Sequence, residues 1–211
     1  MLHTHNYVLL LSMLKWIFLV LCTPITCPTS YAQPRLKPIQ VTVYYDTTAH
    51  ALSKDTLNYT PTRVLSWEHF TEQPPASTRN MVANSSVGFS YNATFNTTGQ
   101  GTNITITVFT FFVKSQSWVL PTKKLPHILQ HECYHYVIGR YHTERLIQDL
   151  RKAVWTSTNL SETLSKLYLK NWNNYIAMQE LYDIQTNHSI NIAQQEKWNY
   201  KLESFIRGIT N

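Results

Sequence analysis

Disulfide chemistry is the first thing this sequence lacks. Its 211 residues include three cysteines, and two of these, Cys22 and Cys27, precede the expected cleavage point of an export signal. Cys133 is then left without a partner for an intramolecular bridge, so stability must come from packing and, where one binds, a metal. Basic clusters are absent too. The 18 Lys and Arg residues are scattered through a chain of net charge +6 and pI near 9.2, and no basic run with interleaved aromatics marks a nucleic-acid surface. A third absence is a long apolar span. Tyr7 to Leu21, broken by Ser12, Lys15 and Trp16, is too short to cross a bilayer comfortably as a retained helix. Ser30-Tyr31-Ala32 follows with small residues where a signal peptidase reads, so cleavage before Gln33 is expected. Lipoprotein processing at Cys22 or Cys27 is the alternative, although Leu21 stands where a small residue is wanted. The expected organisation is a signal peptide, 1–32, and a single domain, 33–211, periplasmic or extracellular and without stable membrane insertion after cleavage. Internal repeats and low-complexity linkers are also missing. Seven Asn-x-Ser/Thr sequons, Asn92-Ala93-Thr94 among them, read as polar strand and turn composition.

What is present divides into a strand-rich first half and a helical second half. Ile39 to Tyr45 alternates and is β-branched, which predicts a strand. Leu65 to Phe70 is a short apolar-aromatic segment ended by Pro74-Pro75. Val87 to Phe95 and Asn103 to Val113 predict two strands, with Ile104, Ile106 and Val108 alternating against Thr105 and Thr107. Thr97-Thr98-Gly99-Gln100-Gly101 between them is a turn signal. Later, Leu146, Leu150 and Val154 repeat every four residues. A second helical run opens at Asn159 with Glu162 three residues on, and carries Leu164, Tyr168, Trp172, Tyr175 and Tyr182. A third opens at Asn191 with Gln194 and carries Trp198, Leu202, Phe205 and Ile209. Those aromatic stripes read as core. The expectation is one α+β domain: a small antiparallel sheet, then a motif helix and three further helices.

The motif is His131-Glu132-Cys133-Tyr134-His135, an H-E-x-x-H pattern. On a helix, side chains four apart share a face, so the two imidazoles can grip one metal while Glu132 points at the water that the metal activates. From Thr122 to Ile138 the sequence carries no Gly, and Pro126 is tolerable in a first turn whose N–H groups have no helical partner. Leu125, Leu129 and Tyr136 can face a core, and Gly139 is a plausible stop. Cys133 projects away from both histidines and reads as packing.

A catalytic zinc keeps three protein ligands and one open position. His127 lies one turn before His131, and one ion cannot bridge three successive turns. His142 follows Gly139 in an approximate glycine-turned arrangement. On a straight helix it would lie about 10 Å beyond His135, out of reach. His188, near Asp183, can fold back onto the motif helix, with Asp183 orienting a ligand. Tyr182 and His142 are candidates to stabilise an oxyanion, and Asp183 or His142 could instead close a four-ligand site. The Asn103–Val113 strand is a candidate edge for pairing with an extended substrate.

Several spaced elements go beyond the zinc motif. They are Ser66-Trp67-x-x-Phe70, the Ala83 to Phe89 region with Gly88, and Ser117-Trp118-Val119. Leu129-Gln130-His131-Glu132 with His135 follows, then Tyr182-Asp183-x-x-Thr186-x-His188 and Gln195-x-x-Trp198. In this order they resemble the bacterial secreted zinc-dependent proteases grouped as domain of unknown function 922. The resemblance runs from about Leu65 to the C-terminus. It implies a metallopeptidase with one Zn²⁺, a peptide or protein substrate, ligands His131 and His135, general base Glu132, and His188 as third ligand in preference to His142. Val137 and Arg140 depart from the acidic residues of that family, and Ser189 from its glycine. The competing expectation is a metal-stabilised envelope binding or assembly module that hydrolyses nothing.

Overall fold

The computed structural model describes residues 38–47, 54–60, 62–78 and 81–210, so the expected signal peptide lies outside the described residues. Among the described residues six strands and three α-helices follow one another: β1 (Ile39–Tyr45), β2 (Thr56–Asn58), β3 (Ala83–Asn84), β4 (Val87–Thr97), β5 (Thr102–Val113), β6 (Trp118–Val119), α1 (Pro126–Lys152), α2 (Leu160–Thr186) and α3 (Ile192–Thr210). The α+β class expected from the sequence is what the chain adopts.

β5 is the spine. Its alternation puts Ile104, Ile106, Val108, Thr110 and Phe112 on one face, all buried, and each fully buried aliphatic is worth about 1.5–3 kcal/mol over leaving it in water. β4 pairs antiparallel with β5 from Val87↔Phe112 to Thr97↔Thr102, closing the expected hairpin through residues 98–101. β1 runs parallel to β5, Ile39 opposite Thr102 and Tyr45 opposite Val108, and β2 pairs antiparallel beyond it. The sheet is therefore mixed rather than purely antiparallel, because three strands intervene in sequence before β1 meets its partner. β5 is also interior, with neighbours along both edges. It cannot be the substrate-pairing edge that its alternation suggested.

Side chains from the helices block parts of the remaining edges. Arg151 donates to the β1 carbonyl of Val43 at 2.8 and 3.2 Å. Tyr175 and Tyr168 donate to the β4 carbonyls of Val87 and Phe89 at 2.7 and 3.2 Å. An unpaired carbonyl on a sheet edge invites another strand, and these contacts remove the invitation.

α1 differs most from expectation. It runs 27 residues, about 40 Å, through Gly139, so the motif helix and the Leu146–Leu150 repeat are one element and the helices after it number two. Gly139 is a contact residue, not a stop: a Cβ there would lie 2.9 Å from Thr110 Cγ2 and 3.0 Å from Val87 Cγ1. Its bare backbone lets α1 lie close on β4 and β5, and the Thr110 and Thr143 hydroxyls bond across the seam at 2.7 Å. Leu146 and Leu150 are buried, whereas Val154 and Leu125 are exposed, the former beyond the helix and the latter before it. Pro126 takes the first position, as its missing N–H permits.

α2 and α3 cover the other side of α1. Leu164, Tyr175, Tyr182, Trp198 and Leu202 are buried, with Phe89 edge-on to Tyr168 and Tyr175. Asn191 caps α3 through its side chain to Gln194 N at 3.2 Å. At the start of α2, the Asn159 side chain instead bonds Thr156 N, so no capping box forms there. Among the described residues no helix is long and apolar enough to cross a membrane.

Candidate metal centre

α1 presents His131 and His135 one turn apart, and α2 crosses so that Asp183 faces both. The two imidazole Nε2 atoms are 3.2 Å apart, and Asp183 Oδ1 lies 3.1 Å from each. Behind the rings, two glutamines hold the other nitrogens. Gln195 Oε1 is 3.0 Å from His131 Nδ1, and Gln179 Oε1 is 2.6 Å from His135 Nδ1. The amide orientations follow from their other bonds. Gln195 Nε2 donates to the Tyr182 hydroxyl and to Asn199 Oδ1, and Gln179 Nε2 donates to the His135 carbonyl. Each Oε1 must then accept from an imidazole Nδ1–H. That tautomer leaves Nε2 of both rings as a lone pair aimed at the other and at a carboxylate oxygen.

Three acceptors so close are repulsive unless a cation or a proton lies among them. The ionisation equilibria say the same. Burial opposes a charge on His135, but the Asp183 hydrogen bond and charge, with Glu132 behind, hold its pKa up to about 9. Burial also raises Asp183, yet its bonds to His131 and His135 outweigh that and hold the carboxyl well below the usual carboxylate range. A metal cation would serve in place of the proton. Tetrahedral zinc, with Zn–N of ~2.0–2.1 Å, sets its ligand atoms roughly 3.3–3.4 Å apart. Spacings of 3.1 and 3.2 Å and a donor set of two neutral imidazoles and a carboxylate fit that ion.

His188 joins the group by a different route. Continuing α2 past Asp183 would turn residue 188 about 140° away from the Asp183 face. Instead the helix ends in three consecutive left-handed residues, Asn187 (φ 47°), His188 (φ 48°) and Ser189 (φ 76°), none of them the glycine that tolerates such φ freely. His188 N bonds Asp183 O at 3.1 Å and Asn191 N bonds Thr186 O at 2.7 Å. The reversal brings His188 Nδ1 to 3.6 Å from Asp183 Oδ1, with its ring 43% exposed. Ligand atoms of His131, Asp183 and His188 all lie within 4.8 Å of one another. Both downstream residues thus reach the cluster, and Asp183 sits closer to the histidine pair than a residue that merely orients a ligand.

Glu132 occupies the same cleft, of about 200 Å³, whose other walls are Met81, Ala83, Asn84, Ser85, Tyr175 and Ile176. Its buried carboxylate accepts a hydrogen bond from Ser85. Comparison with protein-family models, with curated proteins and with solved structures finds nothing that matches this chain.

Two expected roles are overturned by position. Tyr182 is fully buried, its ring stacked on His131 at 4.6 Å and 14°. Its hydroxyl donates to the His131 carbonyl at 3.2 Å and accepts from Gln195. It braces the ligand from behind and has no face toward a substrate, so it is not an oxyanion stabiliser. His142 points into another part of α1's surround, Nε2 against Met178 Sδ at 3.3 Å, with Nδ1 buried and unpartnered. α1 is continuous through Gly139, so His142 lies two turns past His135 and can be neither ligand nor oxyanion partner. His127 is exposed. Cys133 packs against the core, and burial pushes its thiol up to about 11.

Sequence reasoning missed Gln179, Gln195 and Ser85 as members of the site. Gln179 carried a signal: it stands four residues before Asp183 on one face of α2. Gln195 and Ser85 lay inside the spaced elements but had no chemistry to announce them.

Proposed function

We propose that this chain is an exported zinc-dependent peptidase in which His131, His135 and Asp183 hold one metal ion and Glu132 is the general base. The observation that carries this reading is the convergence of two Nε2 lone pairs and a carboxylate oxygen at 3.1–3.2 Å in the cleft that holds Glu132. Zinc held by such a set would supply Lewis acidity and would acidify the attacking water, to a pKa of roughly 7. Gln195 and Gln179 fix the imidazoles in the tautomer that ligation requires. Glu132 takes the proton of the attacking water and returns it to the leaving amine. Ala83 and Asn84 of β3, paired with β6 on one side only, line the cleft and offer main-chain groups to an extended peptide. The export signal expected at residues 1–32 and kinship with the secreted zinc-dependent protease family belong to this proposal.

The test is Glu132→Gln. Turnover of a peptide substrate is expected to fall by at least about 10²–10⁴-fold while zinc, measured by elemental analysis, stays near one per chain. Full activity in that variant would sink the mechanism.

The nearness of His188 favours a second reading, a non-catalytic module in which that residue closes a four-ligand site. His188→Ala separates the two. Retained zinc and retained turnover support the open site, whereas loss of zinc with no hydrolysis by the wild type supports the closed one.

A further inference from the structure

Glu132 is a buried acid whose carboxylate has one hydrogen-bonding partner among the described residues, the Ser85 hydroxyl at Oε2. The same Oγ lies 3.3 Å from the Glu132 main-chain carbonyl. A hydroxyl has one proton to give, and a carboxylate is the stronger acceptor. Ser85 is itself held firmly. It is the junction residue between β3 and β4, and the chain on either side is tied to the segment around Ser117. Ser117 Oγ accepts from Ser86 N at 2.9 Å and donates to Val113 O at 2.7 Å. Val113 N returns a bond to Ser86 O at 2.8 Å, and Leu120 N bonds Val82 O at 2.9 Å. Ser117, at the centre of the clamp, is fully buried.

We propose that Ser85 is the positioning residue of this cleft: it pins Oε2 of Glu132 so that the other carboxylate oxygen faces the reacting water. This rests on the peptidase reading above. Chemistry makes the role specific. A carboxylate free to turn about its last torsion offers the water two oxygens in many poses. One held by a fixed donor offers one oxygen in one pose, and misplacement of a reacting group by ~1 Å can cost on the order of 10²-fold in rate. The hydrogen bonds of the Ser85 hydroxyl go to Glu132 and not to the residues of the metal cluster. Its effect is therefore confined to the proton-transfer step.

The experiment compares zinc-loaded wild type, S85A, S85C and S85T on a quenched-fluorescent peptide mixture. S85A is expected to lose about 10–100-fold in kcat with KM changed by less than about 2-fold, the pattern of an interaction that matters only in the transition state. S85T keeps the hydroxyl and restores most of kcat. S85C, close in shape but a weaker donor, falls between and still reports if S85A does not fold. A second readout needs no activity: in the metal-free protein, the unfolding midpoints of S85A, E132A and the double variant are expected to be non-additive. Ser85 loses its assigned role if kcat of S85A stays within about 2-fold of wild type, if the loss falls in KM or zinc content instead, or if S85T is as impaired as S85A. A wild type that holds zinc and cleaves nothing removes the peptidase reading itself, and this role with it.

Discussion

His135 and His142 stand seven residues apart on the same helix, 9% and 5% exposed. Burial pushes both toward the neutral form. For His142 nothing opposes it: Arg145 adds repulsion, Met178 supplies only a thioether, and the pKa falls to about 4. His135 faces Asp183, with Glu132 nearby, and is held up to about 9. Both are shielded from solvent; the carboxylate across the cleft is what separates them. A buried imidazole is by default a neutral packing group, and it becomes part of a cation site only when an acid from another element is brought to it.

Removing that acid should erase the contrast, and this is the largest effect expected. Asp183→Asn is predicted to weaken zinc binding by more than ~100-fold, beyond the 10–100-fold typical of groups that only support ligands. It should also bring the His135 pKa in the metal-free protein down toward that of His142. Equilibrium dialysis with elemental analysis reads the first, and NMR titration of the imidazoles the second. Gln179→Ala leaves the carboxylate but frees the His135 ring, and is expected to cost ~10–100-fold in zinc affinity. An affinity within error of wild type would show that the tautomer needs no such hold.

The two histidines also predict opposite pH windows for stability of the metal-free protein. His135 is raised from an ordinary value near 6.5 to about 9, so its contribution is fully present below ~6.5 and is lost as pH rises through ~9. His142 is lowered to about 4. The unfolded chain then takes up the proton first, and stability falls as pH drops from ~6.5 toward ~4. Denaturant midpoints measured across that range should flatten on the acid side in His142→Phe and on the alkaline side in Asp183→Asn. The smallest effect concerns the seam between α1 and the sheet. Gly139→Ala pushes a methyl against Thr110 and Val87, an overpacking cost of about 1–3 kcal/mol offset by ~1 kcal/mol of helix propensity, for a net loss centred near ~1 kcal/mol in urea unfolding. A variant as stable as wild type would mean that the helix can lift from the sheet without penalty.

Much of the fold was legible. Alternation in Ile104–Val108 marked β5, the turn residues marked its hairpin, and the aromatic stripe of α2 marked core. Gly139 misled, because glycine at a helix stop and glycine at a close approach look alike in one dimension. The distinction is made by Thr110 and Val87, 29 and 52 residues earlier. β5 misled for a similar reason: alternation reports which face is buried but not how many strands lie beside it.

At the site, spacing alone determined that His131 and His135 share a face with Glu132 between them, since the helical repeat is a local property of the backbone. The sequence also narrowed the remaining candidates to His142 and a short segment, Tyr182 to His188, without choosing between them. Tertiary structure decided the rest. The crossing of α2 over α1 put Asp183 3.1 Å from both imidazoles. The left-handed turn at Asn187–Ser189 swung His188 toward that carboxylate. The β3–β4 junction delivered Ser85 to Glu132, and packing turned Tyr182 from a substrate-facing hydroxyl into a brace behind His131. Each of these depends on where elements distant in the chain come to lie against one another, and local periodicity carries no information about that.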